Sequence, residues 1–308
     1  MKRGCLLIAT LMMAAAVMAE DGSDALGQSD DAPPSTAGGR YYTGLSVFVD
    51  ASGLWADRVT ADFYSGRPEN ANTINRVLHS NFYGQQIWYN LVNQGLISPS
   101  AISSYEQLEV VEYARMYYAT SYQIGLGLRY DYNGGWGWLL RFDLGRLEAL
   151  GAFNISSNNG TGILNNGRQY IRCGIMGKED RINIDLGLSK IFALTSTLDM
   201  EFNVGFNVNN TKVKENMMEV GGSTYSILDI WGGRTPNRNV GSYEYINQGG
   251  IGIGGFASAL LGYQVKGVGA IKVGYTCYRT TTKLEGYSAM GWSHLVGIRL
   301  EMYNFSFI

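Results

Sequence analysis

The sequence predicts an all-β fold, an antiparallel up-and-down transmembrane β-barrel of about eight strands, with ten as the alternative count. Three observations carry this. Leu198, Met200, Phe202, Val204, Phe206 and Val208 occupy every second position, with Asp199, Glu201, Asn203, Gly205 and Asn207 between them, which gives a strand one greasy and one polar face. The same period recurs down the chain in segments of about ten residues, the length a tilted strand needs to cross a bilayer. The links between these segments alternate between long and short, as they do when strands run up and down through a membrane.

The elements follow in order. Residues 1–19 read as a secretory signal: Lys2 and Arg3 precede an apolar run over 6–17, and Val17, Met18 and Ala19 supply a small-x-small cleavage pattern ahead of Glu20 and Asp21. Cys5 heads the apolar run instead of following it, which argues against an acylated lipoprotein. Residues 20–39, rich in Ser, Asp, Ala, Gly and Pro, read as a disordered periplasmic tail. The barrel itself is expected over 40–308, with strands at 43–52, 118–132, 136–147, 181–192, 197–209, 251–265, 270–281 and 289–307. Tight turns are expected at 133–135, 193–196 and 266–269, long links at 53–117, 148–180 and 211–250, and a modest seventh link at 282–288. Residues 149–155 and 169–176 could extend their neighbours beyond the membrane, and 225–231 with 241–246 could add a hairpin. Residues 245–265 carry no charge and are long enough to span as a helix, but six glycines there favour a strand. The G-x-G-x-x-G match at Gly250, Gly252 and Gly255 has no βαβ unit around it and is a chance product of a glycine-rich strand.

The first long link, 54–116 at its core, departs from strand periodicity. Ile74, Val77, Leu78, Phe82, Ile87, Leu91 and Val92 recur at helical spacing. Pro99, then Ser103 and Glu106 at capping-box spacing, predict a second helix running through Leu108 to Tyr113. A helical hairpin on the extracellular rim follows. Tyr83, Trp88 and Tyr89 on it are candidate partner contacts, being of the types enriched at binding hot spots, and the alternative is that its apolar residues pack the two helices together.

Composition agrees with the barrel. Forty-one glycines, 21 tyrosines and 16% charged residues describe aromatic strands in which glycine lets bulky neighbours pack. Mean hydropathy is only −0.08, as expected where lipid-facing residues merely alternate with polar ones. A formal charge of −2 offers no basic footprint for nucleic acid. After signal cleavage Cys173 and Cys277 remain, either as two buried or lipid-facing thiols or as one disulfide between strands not expected to pair.

The signal, the alternating strands, the long and short links, and the closing Tyr303, Phe305 and Phe307 resemble the small outer-membrane barrels of Gram-negative bacteria, the OmpA and OmpX type. The resemblance covers about Arg40 to Ile308 and is architectural. It implies an outer-membrane location with both termini in the periplasm. It also implies that the last strand is read by the barrel-assembly machinery, although here Ile308 follows the final Phe. The partners it implies are outer-membrane lipid and an envelope protein; no motif names which one.

With the greasy face on lipid, the lumen collects Asp50, Arg129, Asp131, Arg141, Asp143, Asp185, Asp199, Glu201, Lys272, Arg299 and Glu301, with Gln123 and Asn203. An eight-stranded barrel is just wide enough for side chains to fill, and buried charges persist when paired, so a plugged, salt-bridged interior is expected, with a narrow solute channel as the alternative. Tyr130, Tyr132, Trp136, Trp138 and Trp292 lie where interfacial girdles form, as do Tyr41, Tyr42, Tyr117, Tyr118 and Tyr287. For a lipid-modifying hydrolase, the remaining alternative, His294 is the weak catalytic candidate; its neighbour Ser293 points to the opposite face of the strand. His79 lies in the helical link beside Ser80. No metal-ligand spacing, nucleophile elbow or phosphate loop occurs, and no cofactor is implied.

Overall fold

The computed structural model describes residues 43–99, 103–157, 170–230, 248–265 and 268–303. The expected signal and tail, Tyr41, Tyr42, residues 231–246 of the conceivable extra hairpin, and Phe305, Phe307 and Ile308 lie outside the described residues. Eight strands build the fold: β1 (Gly44–Ala56), β2 (Ser121–Asp131), β3 (Trp136–Ser157), β4 (Tyr170–Ala193), β5 (Leu198–Val220), β6 (Gly249–Val265), β7 (Gly269–Leu284) and β8 (Tyr287–Tyr303). Each pairs antiparallel with the next. β1 also pairs with β8, from Ser46↔Tyr303 to Ala56↔Ser293, so the sheet closes on itself and leaves no edge within the ring.

The expected strands are present, but three of them are much longer than periodicity indicated: β3, β4 and β5 have 22, 24 and 23 residues. The reason is an inversion of faces. Near the short turns, the outward side chains are Leu140, Phe142 and Leu144 on β3 and Ile184, Leu186 and Leu188 on β4, all exposed and apolar. Beyond Arg146 and Asp180 charged and polar residues such as Glu148, Asn154, Lys178 and Arg172 enter the outward positions beside Leu150, Ala152 and Met176, and apolar residues turn inward, as Leu147, Ala149, Phe153 and Ile155 on β3 and Ile171, Cys173 and Ile175 on β4. On β5 a bulge serves the same end: Lys178 pairs with Glu215 and Glu179 with Val213, so Lys214 is extra and Met218 and Val220 swing inward. Below this level the strands are shaped to face lipid, and above it they carry a conventional water-facing exterior over an apolar interior.

The first long link fills that upper interior. After β1 the chain forms α1 (Arg58–Ala61), capped by the Asp57 carboxylate, a 3₁₀ turn (Asp62–Ser65), α2 (Ile74–Leu78) and α3 (Tyr83–Asn93). Ser80 accepts from the Tyr83 backbone N–H and starts α3. Ile74, Val77, Leu78, Ile87 and Leu91 are buried against Phe153, Ile155, Ile171 and Met218 of the extended strands. So the helical pair folds by packing on the sheet, and its apolar residues are not free for a partner. Phe82, at 72% exposed, and the Tyr83 and Tyr89 rings are the exceptions.

Two expectations about this link fail. The second helix predicted through Leu108 to Tyr113 is a short strand, Leu108–Glu112, which pairs with β3 after a 3₁₀ turn at Tyr105–Gln107. Its β-branched Val110 and Val111 fit a pleated edge better than a helix. Capping-box geometry is also displaced, since Ser104 caps the turn and Ser103 donates its N–H to Gln107 Oε1. In the third long link, residues 223–226 form a short strand that folds back on β5 through Gly221 and Gly222, both at positive φ. Within the described residues the ring therefore keeps eight strands. The seventh link is tighter than expected, a two-residue turn with Gly286 at φ 65°.

The cap is seated on the barrel at one close approach. A Cβ at Gly177 of β4 would lie 2.0 Å from the Tyr64 ring, so only glycine lets that ring lie flat on the strand. Gly177→Ala is expected to displace Tyr64 at a cost of about 1–3 kcal/mol while leaving the ring of strands intact. Limited proteolysis checks this: cleavage within 57–116 should accelerate in the variant, and unchanged cleavage contradicts the seating.

Candidate functional site in the barrel lumen

Below the cap, the inward faces of all eight strands meet. Arg129 of β2 reaches Asp131 at 2.9 Å and Glu301 of β8 at 2.7 Å, and also bonds Glu201 of β5. Lys272 of β7 bonds the same two glutamates, at 2.7 Å to Glu301. Arg299 of β8 donates to Glu201 at 2.9 Å. Glu201 thus receives three cations, and Asn203 donates to it as well, at 2.8 Å. A second tier is centred on Arg141 of β3, which holds Asp185 at 2.5 Å and Asp143 at 3.1 Å. Asp50 of β1 joins the tiers, 3.7 Å from Arg141 and 3.5 Å from Arg299.

Backbone register explains why these groups meet. Asp50, Gly125 and Asp143 are consecutive partners across β1, β2 and β3. A Cβ at Gly125 would lie 1.9 Å from Asp143 Oδ1 and 2.6 Å from Asp50 Oδ1, so glycine makes room for both carboxylates. Guanidinium faces complete the packing: that of Arg299 lies 4.0 Å from the Phe48 ring centre, and Arg141 lies over Phe256 and Tyr278.

All eleven charged residues expected in the lumen are buried there, and ten of them form ion pairs. Asp199 stands apart; its carboxylate is held by the Gln264 side chain near the short-turn end. Several members were not anticipated. Tyr278 donates to Asp185 at 2.7 Å, and Asn207 donates to the same residue at 2.7 Å. A third tier, Glu179 with Arg181 at 2.6 Å, lies just under the cap, where Tyr64 (2.7 Å) and Tyr118 (3.1 Å) donate to Glu179. Burial and the Glu179 carboxylate push the Tyr64 hydroxyl well above its ordinary range. Continuing the inward parity of Asp185 back along β4 would have found Glu179 and Arg181; nothing local marks Tyr64.

The aromatic expectations divide. Tyr130, Tyr132, Trp136 and Trp138 are exposed together on the outer face at the short-turn end, and Lys190 lies 4.7 Å from the Trp136 ring. Trp292 sits near the opposite rim under the Arg279 guanidinium, at 4.8 Å. Tyr118 faces the mouth of the lumen, because its hydroxyl satisfies Glu179, and Tyr287 donates to the Val59 carbonyl of the cap (2.6 Å); neither belongs to a girdle. On α3, Tyr83 and Tyr89 are exposed and Trp88 is half-buried against the cap core.

His294 lies on the outward face of β8, where the Tyr275 hydroxyl meets its Nδ1 at 2.6 Å, and Ser293 points inward. His79 bonds the Leu108 carbonyl through Nε2 at 3.0 Å, which ties α2 to the short strand. Cys173 is a free, buried thiol, so the conceivable Cys173–Cys277 bond is not formed. Burial pushes that thiol up to about 12. Among the described residues no group of side chains could hold a metal ion.

Fold and interior together define a class: a closed eight-stranded barrel with an apolar outer band and buried ion pairs inside. No family model and no curated protein matches the sequence. Among solved structures the chain is similar to Neisserial surface protein A (NspA), at 11% identity and TM-score 0.36, over 84% of this chain and 97% of that one. It is also similar to Ail, the attachment invasion locus protein of Yersinia pestis (10%, TM-score 0.32, 84% and 100% covered), and to the outer membrane protein OprG from Pseudomonas aeruginosa (8%, TM-score 0.36, 85% and 97% covered). All three are outer-membrane β-barrel proteins.

Removing one partner of a buried ion pair leaves the other charge uncompensated. Lys272 is fully buried between Glu201 and Glu301, so Lys272→Met is expected to lose about 3–5 kcal/mol of stability. Denaturant unfolding in detergent measures this, and a loss below about 1 kcal/mol contradicts the role given to the network.

Proposed function

We propose that this chain is an outer-membrane β-barrel with a plugged, charged lumen, serving a structural or surface-interaction role. The observation that carries this is the filled interior. The cavity among Asp50, Arg141 and Arg299 has a volume of about 20 Å³, room for one water, and the cap covers the far end of the barrel. The exposed apolar band between the aromatic rim and the row of Arg146 and Asp180 supports a membrane setting, since such a surface is costly in water.

In this reading the short turns and both termini are periplasmic, and the last strand is what the assembly machinery engages. The cap faces outward and presents Phe82, Tyr83 and Tyr89 to an envelope or surface partner. Planar bilayer recording tests the plugged state: the reconstituted protein is expected to give no stable conductance steps. Reproducible ohmic steps would replace this reading with a channel.

A further inference from the structure

We propose that the outward face of β3 and β4, with the neighbouring parts of β2 and β5, is a binding site for a phosphorylated glycolipid. The proposal rests on the membrane setting argued above, and on the order in which three surface chemistries follow one another along one side of the barrel. Lowest is a groove of about 590 Å³ on the apolar band, lined by Ile124, Leu126, Phe142, Leu144 and Ile182. It offers acyl chains a concave bed in place of a convex wall.

Arg146 and Asp180 stand at the top of that groove. Backbone register puts Tyr122, Arg146, Asp180 and Lys212 side by side across β2, β3, β4 and β5. Asp180 accepts from Arg146 at 2.8 Å and from the bulged Lys214 at 3.1 Å. Lys212 makes no ion pair among the described residues. Two cations, Arg146 and Lys214, therefore share one carboxylate, and Lys212 stands beside it in register, so positive charge exceeds negative in the row at the top of the apolar band. Exposed ion pairs add little to stability, so the fold does not need this excess. A lipid phosphate at that height would receive charge-assisted hydrogen bonds from it. Just above, Lys178 is paired with Glu215 at 2.9 Å and Glu148 is close by, so the positive excess does not continue into the next row.

Higher still, a second groove of about 560 Å³ runs between the short strand and the outward face of β3 and β4. Arg115 and Arg172 in its wall are exposed and make no ion pair among the described residues, and the Tyr117 ring is half-exposed beside them. Guanidinium donors with an aromatic face suit the hydroxyls and ring faces of sugars. Along β3 the outward residues run Phe142, Leu144, Arg146, Glu148, Leu150, Ala152, Asn154, so the sequence of bed, cationic row and polar groove is one continuous column. It matches the sequence of acyl chain, phosphate and sugar in a single ligand. On the opposite side of the barrel Arg279 is stacked on Trp292 and is not presented in this way.

The test uses native mass spectrometry of the full chain in mild detergent. The probes are a bis-phosphorylated, acylated glucosamine disaccharide, its dephosphorylated form, phosphatidylglycerol and inorganic phosphate. Wild type should hold the phosphorylated disaccharide one to one. The triple variant Arg146→Gln, Lys212→Gln, Lys214→Gln should bind it on the order of tenfold to a hundredfold more weakly. The double variant Arg115→Gln, Arg172→Gln should weaken the disaccharide and leave phosphatidylglycerol unchanged. The heat-dependent gel mobility of a closed barrel shows that each variant is folded. Equal binding by wild type and a folded triple variant overturns the proposal. So does undiminished binding of the dephosphorylated form, or full displacement by millimolar inorganic phosphate, which marks a free-anion site. A wild type that conducts ions and still binds the glycolipid would refute the plugged lumen and leave this site standing.

Discussion

Pairing of buried charges is the constraint on which this structure depends. A closed ring of eight strands has an interior the width of its own side chains, and here those side chains include arginines, a lysine and carboxylates from every part of the sequence. Such groups stay ionised in a confined interior when opposite charges and hydrogen-bonding side chains stand close by. Glu201 meets Arg129, Lys272 and Arg299, and Asp50 connects that tier to Arg141, so residues from β1, β2, β3, β4, β5, β7 and β8 belong to one network. The ring brings them together.

A second core sits on the first. Where β3, β4 and β5 leave the apolar band, their greasy and polar faces exchange sides, and the inward apolar residues need a cover. The link after β1 supplies it, and Glu179 with Arg181 marks the join: the strands contribute the ion pair, and the cap contributes the Tyr64 hydroxyl that donates to Glu179. The same exchange of faces leaves charged residues such as Arg146 and Lys214 on the outside at one height. Interior capping and exterior charge are two consequences of one phase change along the strands.

That phase change also explains what could be read from the residues. Strand identity, the short turns and the lumen charges were legible because a lipid-facing strand must keep a strict two-residue period, and Phe142, Leu144, Ile184 and Leu186 keep it. Past Arg146 the apolar residues move to odd positions on β3, as Leu147, Ala149 and Phe153, so the expected strand stopped ten residues early, at 147 instead of Ser157. On β5 the bulge at Lys214 hid the continuation in the same way. Leu108–Glu112 read as a helix because a serine and a glutamate stood at capping distance, whereas its actual partner on β3 lies over forty positions away in sequence. Tyr64 joined the network for a reason no local pattern shows, the absence of a side chain at Gly177.

The proposed plugged lumen is most directly tested by chemistry at its centre. Ser258 is buried on β6 and accepts from Asn203 at 3.0 Å, in the layer next to Glu201. With the native cysteines replaced by serine, Ser258→Cys and, as an exposed control, Thr195→Cys are treated with a charged methanethiosulfonate in mild detergent. The account predicts rapid labelling at position 195 and none at 258 until the barrel is unfolded by heat. Labelling of both positions at similar rates in the folded protein would mean a water-filled passage and would contradict a lumen closed by ion pairs.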